Sequence, residues 1–450
     1  MKNNLLKLLA ETPSRRQFLK AAGWSALGCS ASGWLPRLAH ALATDDKRRR
    51  QCILLWMNGG PSQLDTFDLK PGHANGGEFK EIDTTVPGLR ISEHLPRLAT
   101  QAQRLAILRG LSTKEGDHGR GTYLMRTGHS PGGPVRYPAI GSSLSKELGS
   151  DDAELPHYIS IAPYQQFNQA AFGPGFLGPK YAPAVVDARR TGGDANQASS
   201  YADLRIENLL PGDAAAARLP NRVDLWQQFE TNFLASHHAP SVVGHKTVYQ
   251  RAMRMMRSPA AAAFDLTSEP DAVRDTYGRG VFGQGCLLAR RLIEQRVPFV
   301  EVSLGDFSNG TNNWDTHQNN FATVKVLSAQ LDAGWASLMQ DLEDRGLLDS
   351  TTILWMGEFG RTPIINQMGG RDHYPNAWSC VMAGGGIQGG RACGRTSADG
   401  TAIEEGKVAV GDVLATLCQA LGVDPEQKNT SEQGRPIRIA EGEPIREILA

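Results

Sequence analysis

The sequence predicts an α/β protein with a doubly wound sheet. Short, continuously apolar runs recur along the chain, and segments with helical periodicity separate several of them. Strands that are apolar at every position are typical of a sheet covered on both faces. The predicted strands are 52–57, 105–108, 158–161, 299–304, 351–356 and 380–383.

Two helices are predicted from periodicity and from the glycines that follow them. The first carries an apolar stripe from Phe321 to Leu342 and ends at Gly346, as a left-handed C-cap would. The second covers about 412–421 and ends at Gly422. The region of about 165–280 is rich in Gly/Pro loops and helical patches, so we interpret it as an insertion or cap on the sheet.

The charge balance argues against a nucleic-acid-binding protein. The 450 residues include 47 Lys and Arg and 47 Asp and Glu. Residues 1–43 hold six bases and one acid, so the remainder has 41 bases against 46 acids. Five cysteines follow residue 43, at wide spacings and mostly in apolar runs, which favours buried free thiols over a disulfide framework.

The N-terminal segment has the pattern of an export signal. Arg15-Arg16 is followed by Phe18-Leu19-Lys20, a weakly apolar stretch and the small-residue triplets Ala39-His40-Ala41 and Ala41-Leu42-Ala43. This resembles a twin-arginine signal peptide, which implies export of the folded protein by the twin-arginine translocase to the periplasm or cell surface. An amphipathic helix and lipidation of Cys29 are the alternatives. No segment is expected to be a permanent transmembrane helix.

Polar side chains follow the predicted strands repeatedly. Because ligands bind beyond the carboxyl ends of strands in such sheets, we expect these groups to converge. They are Asn58 and Asp65 after the first strand, Asp315 and His317 after 299–304, Glu358 and Arg361 after 351–356, and then Asp372 and His373. Oxygen and imidazole donors without thiolates predict a site for one or more divalent ions, with Zn, Mn, Mg and Ca all open.

Several longer motifs resemble those of the bacterial domain-of-unknown-function family 1501. They are Met57–Asp68, Trp314–His317, Met356–Pro363, Gly370–Pro375, Ala383–Ile387, Gly434–Pro436 and Pro444–Ile445. That family is regarded as related to the alkaline phosphatase and sulfatase superfamily. The resemblance implies one domain over 44–450, with a mixed, mostly parallel sheet between helical layers, an inserted cap and a metal site at the strand ends.

The resemblance also implies site residues. Metal ligands would be Asp65, Asp315, His317, Glu358, Asp372 and His373, with Asn58 standing where the superfamily has its first acid. The segment 121–128 resembles the helix that follows the sulfatase nucleophile, and counting back reaches His118 instead of Cys or Ser. A formylglycine sulfatase is therefore not expected.

The catalytic candidates near this helix are His118, Arg120 and Thr122. His118 could be a metal ligand, a general acid or a transient phosphoryl acceptor, and ligation is the favoured role. We predict that it lies within one side-chain length of the cluster formed by Asp315, His317, Glu358 and Asp372. Thr122 could supply a hydroxyl, and Arg120 could bind ester oxygens, as could Arg361.

Two functions follow from these expectations. The first is an exported metal-dependent hydrolase of phosphate or sulfate esters, with a sulfated or phosphorylated polymer as the candidate substrate and a metal-bound hydroxide as the attacking group. The alternative is a non-catalytic exported surface or assembly protein that retains the fold and a structural metal.

Overall fold

The structure is a computed structural model that describes residues 50–150, 153–189, 201–207, 209, 213–234, 236, 240–307 and 312–450. The predicted signal peptide (1–43) and Cys29 lie outside these residues. Residues 50–450 form one compact unit.

Most of the described strands are short, and the long ones lie in the central sheet. The strands are β1 (Gln51–Met57), β2 (Glu81–Asp83), β3 (Arg90–Ser92), β4 (Leu105–Leu111), β5 (Tyr158–Ile161), β6 (Ala184–Arg189), β7 (Asp203–Arg205), β8 (Phe299–Leu304), β9 (Thr351–Gly357), β10 (Gly360–Arg361), β11 (His373–Tyr374), β12 (Trp378–Gly384), β13 (Arg391–Cys393), β14 (Arg395–Thr396), β15 (Ile403–Glu405), β16 (Lys428–Thr430) and β17 (Pro436–Arg438). The six predicted strands are therefore confirmed.

The central sheet has nine strands in the order β13-β4-β12-β9-β1-β8-β5-β6-β7. Only β12 and β7 run against the other strands of this sheet, so it is mixed and mostly parallel. β1, β4, β5, β8 and β9 consequently end at the same edge. The loops that follow these five strands can meet there, which is where sheets of this kind bind ligands.

Helices cover both faces of the sheet. The α-helices are α1 (Pro96–Ala99), α2 (His118–Thr127), α3 (Ile140–Leu148), α4 (Asp213–Leu234), α5 (Pro240–Arg257), α6 (Asp271–Tyr277), α7 (Val281–Glu294), α8 (Asn320–Asp344) and α9 (Val410–Ala420). Every residue of β1, β8 and β9 is buried, as expected for strands between two layers.

Alternate residues of β1 belong to different parts of the core. Leu55 packs in the cluster that includes α7 and α8, whereas Leu54 packs in the cluster that includes α3 and α9. The side chains of a strand alternate between faces, so a continuously apolar strand serves two helical layers. The predicted fold class is thereby confirmed.

The two helices predicted from periodicity are also present. The stripe of α8 is buried at Val324, Leu331 and Trp335, and Gly346 follows the helix with a φ of 67°. This left-handed conformation favours glycine, which explains why the helix ends there. Gly422 has a φ of 69° just after α9.

The middle region contributes to the sheet as well as to its surroundings. β6 pairs in parallel with β5, and β7 pairs with β6, so these two strands extend one side of the central sheet. α4 and α5 then follow in the chain, so the region contains helices as well as strands.

The cysteines after residue 43 are buried and free, as predicted: Cys52, Cys286, Cys380, Cys393 and Cys418. Among the described residues, no helix combines the length and the apolar character that a membrane span requires.

Candidate metal centre

His118 is the first residue of α2, the helix that follows β4. Asp117 caps this helix, since its carboxylate accepts a hydrogen bond from the Arg120 N–H at 2.9 Å. The cap fixes where the helix begins and therefore where His118 leaves the backbone. Its ring lies at the edge where the parallel strands end, within hydrogen-bonding distance of Glu358 after β9.

Three histidines each have Nδ1 held by an oxygen atom. The acceptors are Glu358 Oε1 for His118, Asp372 Oδ1 for His317 and the Gly116 carbonyl for His373, each at 2.7 Å. A carboxylate or carbonyl oxygen only accepts, so in each neutral ring Nδ1 carries the proton and Nε2 has a free lone pair. Holding the proton on the far nitrogen is how proteins prepare imidazoles for metal binding.

The three Nε2 atoms converge on one oxygen of Asp315. Its Oδ1 lies 3.3 Å from Nε2 of His118, 3.1 Å from that of His317 and 3.2 Å from that of His373. The Nε2 atoms of His317 and His373 are 3.0 Å apart. At this distance the lone pairs of the two nitrogens repel each other unless a proton or a metal cation lies between them.

Asp315 is held in place by the backbone that follows β1 and by Arg361. Gly59 has a φ of 108°, and a Cβ on it would lie 2.4 Å from the Asp315 nitrogen, so only glycine allows this approach. Nη2 of Arg361 donates to Asp315 Oδ1 at 2.7 Å and to the Gly59 carbonyl.

Asp315 and His118 each stabilise the charged form of the other. Burial of Asp315 would raise its pKa, but its contacts with His118 and His373 and the charge of Arg361 lower it strongly. Burial of the His118 ring would lower its pKa, but the neighbouring carboxylates of Asp315 and Glu358 outweigh burial and raise it to about 9. The site therefore attracts positive charge at the position of His118 Nε2.

The group of converging side chains, which consists of His118, Asp315, His317 and His373, is open to solvent on one side. The exposed fraction of the side chain increases from 13% in His118 through 23% in Asp315 and 25% in His373 to 40% in His317. A metal site that can act on a substrate needs a position left free by the protein. The exposed side of the site, next to His317, provides room for such a free position.

The donor set fits a divalent ion. One ligand atom from each of His118, Asp315 and His373 lies within 4.8 Å of the others, and Nε2 of His317 lies beside two of them. Ligand atoms about 2.0–2.1 Å from a tetrahedral zinc ion stand about 3.3 Å apart. This is close to the distances from Asp315 Oδ1 to the three Nε2 atoms. The buried Oε2 of Glu358 makes no hydrogen bond to any described residue and adds negative charge nearby.

Two of the predicted metal ligands, Glu358 and Asp372, bind the Nδ1 atoms of histidines and not the converging Nε2 side. Oε1 of Glu358 accepts the Gly59 N–H at 2.9 Å in addition to His118. Asp372 binds Nδ1 of His317, and this bond lowers the pKa of the Asp372 carboxyl. In this arrangement both carboxylates orient histidines.

Asp65 lies away from the group. Its two oxygens accept hydrogen bonds from Arg371 at 2.8 and 3.1 Å, and Asn320 donates a third at 2.9 Å. The side chains of Asp65 and Arg371 are completely buried. Asp65, which was predicted as a metal ligand, is therefore paired with the guanidinium of Arg371 instead.

The two arginines expected to bind ester oxygens are both engaged. Arg120 forms a two-pronged ion pair with Glu115, at 2.6 and 2.8 Å. Arg361 is fully buried and donates to backbone carbonyls as well as to Asp315. The interpretation of Arg361 as a substrate-binding residue is corrected, because its guanidinium has no exposed surface.

Thr122 and Asn58 are buried beside these elements. The Thr122 hydroxyl has no hydrogen-bond partner among the described residues, and neither has Oδ1 of Asn58. Nδ2 of Asn58 donates to the Gly305 carbonyl at 2.9 Å, which ties the end of β1 to the end of β8.

The sequence did not reveal the groups that hold the predicted site residues in position. Arg371 and the Gly116 carbonyl were not singled out, although Arg371 stands directly before Asp372 in a quoted motif. A buried arginine gives no periodic signal, and a carbonyl gives no sequence signal at all. A metal-bound histidine donates its other N–H to an oxygen acceptor, and this general requirement is what would have prompted a search for such groups.

Comparison with known proteins gives one family and a set of distantly similar structures. The fold is similar to the lipoteichoic acid synthase LtaP from Listeria monocytogenes, with 10% identity, coverage of 88% of this chain and 75% of that one, and a TM-score of 0.39. It is also similar to the PsFucS1 sulfatase from Pseudoalteromonas sp., with 12% identity, coverage of 85% and 70%, and a TM-score of 0.39.

A third similar structure is a protein in the alkaline phosphatase superfamily from Vibrio parahaemolyticus, with 11% identity, coverage of 84% and 67%, and a TM-score of 0.33. No curated protein matches the sequence. The family "Protein of unknown function (DUF1501)" matches residues 49–449, and the chain therefore belongs to that family.

Proposed function

We propose that this protein is an exported metal-dependent hydrolase of phosphate or sulfate esters. The observation that carries the proposal is the convergence of three imidazole Nε2 atoms on Asp315 Oδ1, with every Nδ1 held by an oxygen acceptor. When bound there, a divalent ion would polarise an ester oxygen and lower the pKa of a coordinated water.

The ligands in this proposal are His118, Asp315 and His373, whose donor atoms lie within 4.8 Å of one another, and His317 lies beside them on the exposed side. Three protein ligands leave a zinc-type ion a position for water. An imidazole-rich set favours Zn over Mn, Mg and Ca, which prefer oxygen ligands. Glu358 and Asp372 hold two of the histidines in the required tautomer and orientation.

The remaining residues support attack by water in preference to a covalent intermediate. His118 occupies the place where a sulfatase-type nucleophile was sought, and its Nε2 faces Asp315. The Thr122 hydroxyl is buried within α2, only 1% of the residue being exposed. Substrate would enter from the exposed side, next to His317 and Asp372, whose side chains are 40% and 55% exposed.

A non-catalytic role with a structural metal is the second candidate. The observation in its favour is that Arg120 and Arg361, the two arginines expected to bind ester oxygens, are engaged with Glu115 and Asp315. A protein that only binds an ion needs no cation for substrate oxygens.

A substrate screen separates the two functions. Purified protein would be assayed with aryl phosphate, phosphodiester and sulfate esters after supplementation with Zn, Mn, Mg or Ca. We expect metal-dependent turnover of one ester class, strongly reduced in Asp315→Asn and unchanged in Asp83→Asn, whose carboxylate is exposed and pairs with Arg90. Bound metal with no turnover in any class would favour the structural role.

Export by the twin-arginine route is part of the proposal and rests on the N-terminal motif. Replacement of Arg15 and Arg16 by lysine should keep the protein in the cytoplasm, whereas the unaltered chain should reach the periplasm or cell surface. Cell fractionation with immunodetection measures this. Equal export of both forms would contradict the proposal.

A further inference from the structure

Beside the candidate metal centre lies a cluster of three aromatic rings, which we call the aromatic platform: Tyr164, Phe167 and Phe307. The rings of Tyr164 and Phe307 stack at a centroid distance of 4.7 Å. Phe167 stands nearly perpendicular to both, at 4.9 Å from Tyr164 and 4.7 Å from Phe307. All three residues are half-buried, so none of them belongs to the fully buried core.

The platform is continuous with the metal centre. The rings of Phe167 and His118 are parallel within 3° at a centroid distance of 4.4 Å, and Phe307 lies 6.1 Å from His118. A group that contacts the platform would therefore be a neighbour of the proposed ligand His118.

The topology explains this position. Tyr164 and Phe167 follow β5 and Phe307 follows β8, two neighbouring parallel strands that end at the same edge as β1 and β9. Both loops thus stand over the edge where ligands bind in such sheets. Aromatic side chains next to a few polar groups are typical of small-molecule sites.

The loop that carries two of the rings is held at both ends. Ala162 has a φ of 50°, an uncommon value for a residue with a side chain, and its N–H donates to the Val186 carbonyl at 2.9 Å. At the other end, Nδ2 of Asn168 donates to the Gly119 carbonyl of α2 at 3.1 Å. These anchors fix the loop in a strained turn, which is characteristic of functional segments.

We propose that the aromatic platform is a binding site for a ring, and that the esters acted on are those of ring alcohols. The inference rests on the proposed ester hydrolysis for its placement of the scissile group. Aromatic rings bind flat apolar faces by stacking, and both aryl groups and the apolar face of a sugar ring provide one. The ring of the leaving alcohol would lie on the platform while its ester group reaches toward His118 and Asp315.

Binding of ester-free ring ligands tests the platform without requiring turnover. Benzyl alcohol and methyl glucopyranoside, with hexanol and sorbitol as their open-chain counterparts, would be titrated into the protein as purified and followed by ligand-observed NMR. We expect one or both ring ligands to bind more tightly than their counterparts, and binding of the ring to weaken about three- to tenfold in Tyr164→Ala and in Phe307→Ala.

The matched control is Phe229→Ala, since Phe229 is an exposed phenylalanine on α4 outside the platform. It should bind ring ligands as the unaltered protein does. Phe167 is left unchanged because it contacts His118. The ligand that binds identifies whether the ring is an aryl group or a sugar.

The outcomes separate this inference from the proposed function. Ring binding that depends on Tyr164 and Phe307, in a protein without metal or turnover, would support the platform and overturn the hydrolase. Turnover with equal binding of ring and open-chain ligands would overturn the platform alone. So would ring binding that is unaffected by Tyr164→Ala and Phe307→Ala.

Discussion

Glu358 holds His118 through a hydrogen bond of 2.7 Å between Oε1 and Nδ1, and the same oxygen accepts the Gly59 N–H. One carboxylate thereby joins the end of β9, the turn after β1 and the first residue of α2. Its second oxygen is buried without a hydrogen-bond partner among the described residues. Glu358 therefore sets the orientation of His118 and adds charge behind it.

Replacing Glu358 by glutamine should weaken metal binding about tenfold, and by alanine up to about 100-fold, the range typical of residues that orient metal ligands. Glutamine retains an accepting oxygen for His118 but lacks the charge. Chelator competition measures the affinity. The control is Glu405→Gln, an exposed carboxylate paired with Arg395. Affinity unchanged in Glu358→Ala would show that His118 needs no such support.

Purified protein should contain divalent metal, and His373→Ala should lower its content severalfold. The reason is that His373 Nε2 lies 3.0 Å from His317 Nε2 and 3.2 Å from Asp315 Oδ1, so its loss removes one side of the proposed coordination sphere. Elemental analysis by mass spectrometry measures this. His73→Ala is the matched control, because His73 is an exposed histidine outside the group. Equal metal content in both variants would contradict the assignment.

Asp65→Asn should destabilise the protein by about 3 kcal/mol, because a buried arginine loses its counter-charge. It should leave metal content unchanged, since Asp65 binds Arg371 and Asn320. Denaturant unfolding and elemental analysis give the two readouts. Asp83→Asn, at an exposed ion pair, should change stability by less than about 1 kcal/mol. A folded Asp65→Asn protein that has lost its metal would restore Asp65 as a ligand.

Protein stripped of metal should become less stable as the pH rises from 6 to 10. His118 has a folded-state pKa of about 9, above the ordinary value of 6.5. Its stabilising contribution is therefore complete below pH 6.5 and is lost as the pH rises through about 9. The difference in unfolding free energy between the unaltered protein and His118→Gln, measured by denaturant titration in chelator, should decrease over this interval. A difference independent of pH would refute the prediction.

Much of the fold could be predicted because its strands and helices carry local patterns. The strands β1, β8 and β9 are apolar at every position, and α8 has an apolar stripe followed by Gly346. Each pattern lies within a few turns or one strand, so it is readable without knowing what the segment packs against. The placement of polar groups after these strands likewise indicated which segments could meet at one edge.

The roles of the individual polar groups could not be predicted in this way. Asp65 pairs with Arg371, 306 positions later in the chain, and Arg361 is buried against the turn at Gly59. Both arginines stand in motifs that also suit an exposed, substrate-binding residue. Their burial depends on which loops cover them, and that is a property of the packed molecule.

The sequence by itself determined the layered α/β class, the strand and helix positions and the residue types available at the sheet edge. The tertiary structure decided which of those residues face one another: Glu358 and Asp372 behind the histidines, Asp65 against Arg371, and the aromatic platform beside His118. The physical reason is the separation along the chain of the residues that interact. Strand and helix patterns arise from neighbours along the chain, whereas a metal centre depends on angstrom-scale distances between side chains that strand order brings together.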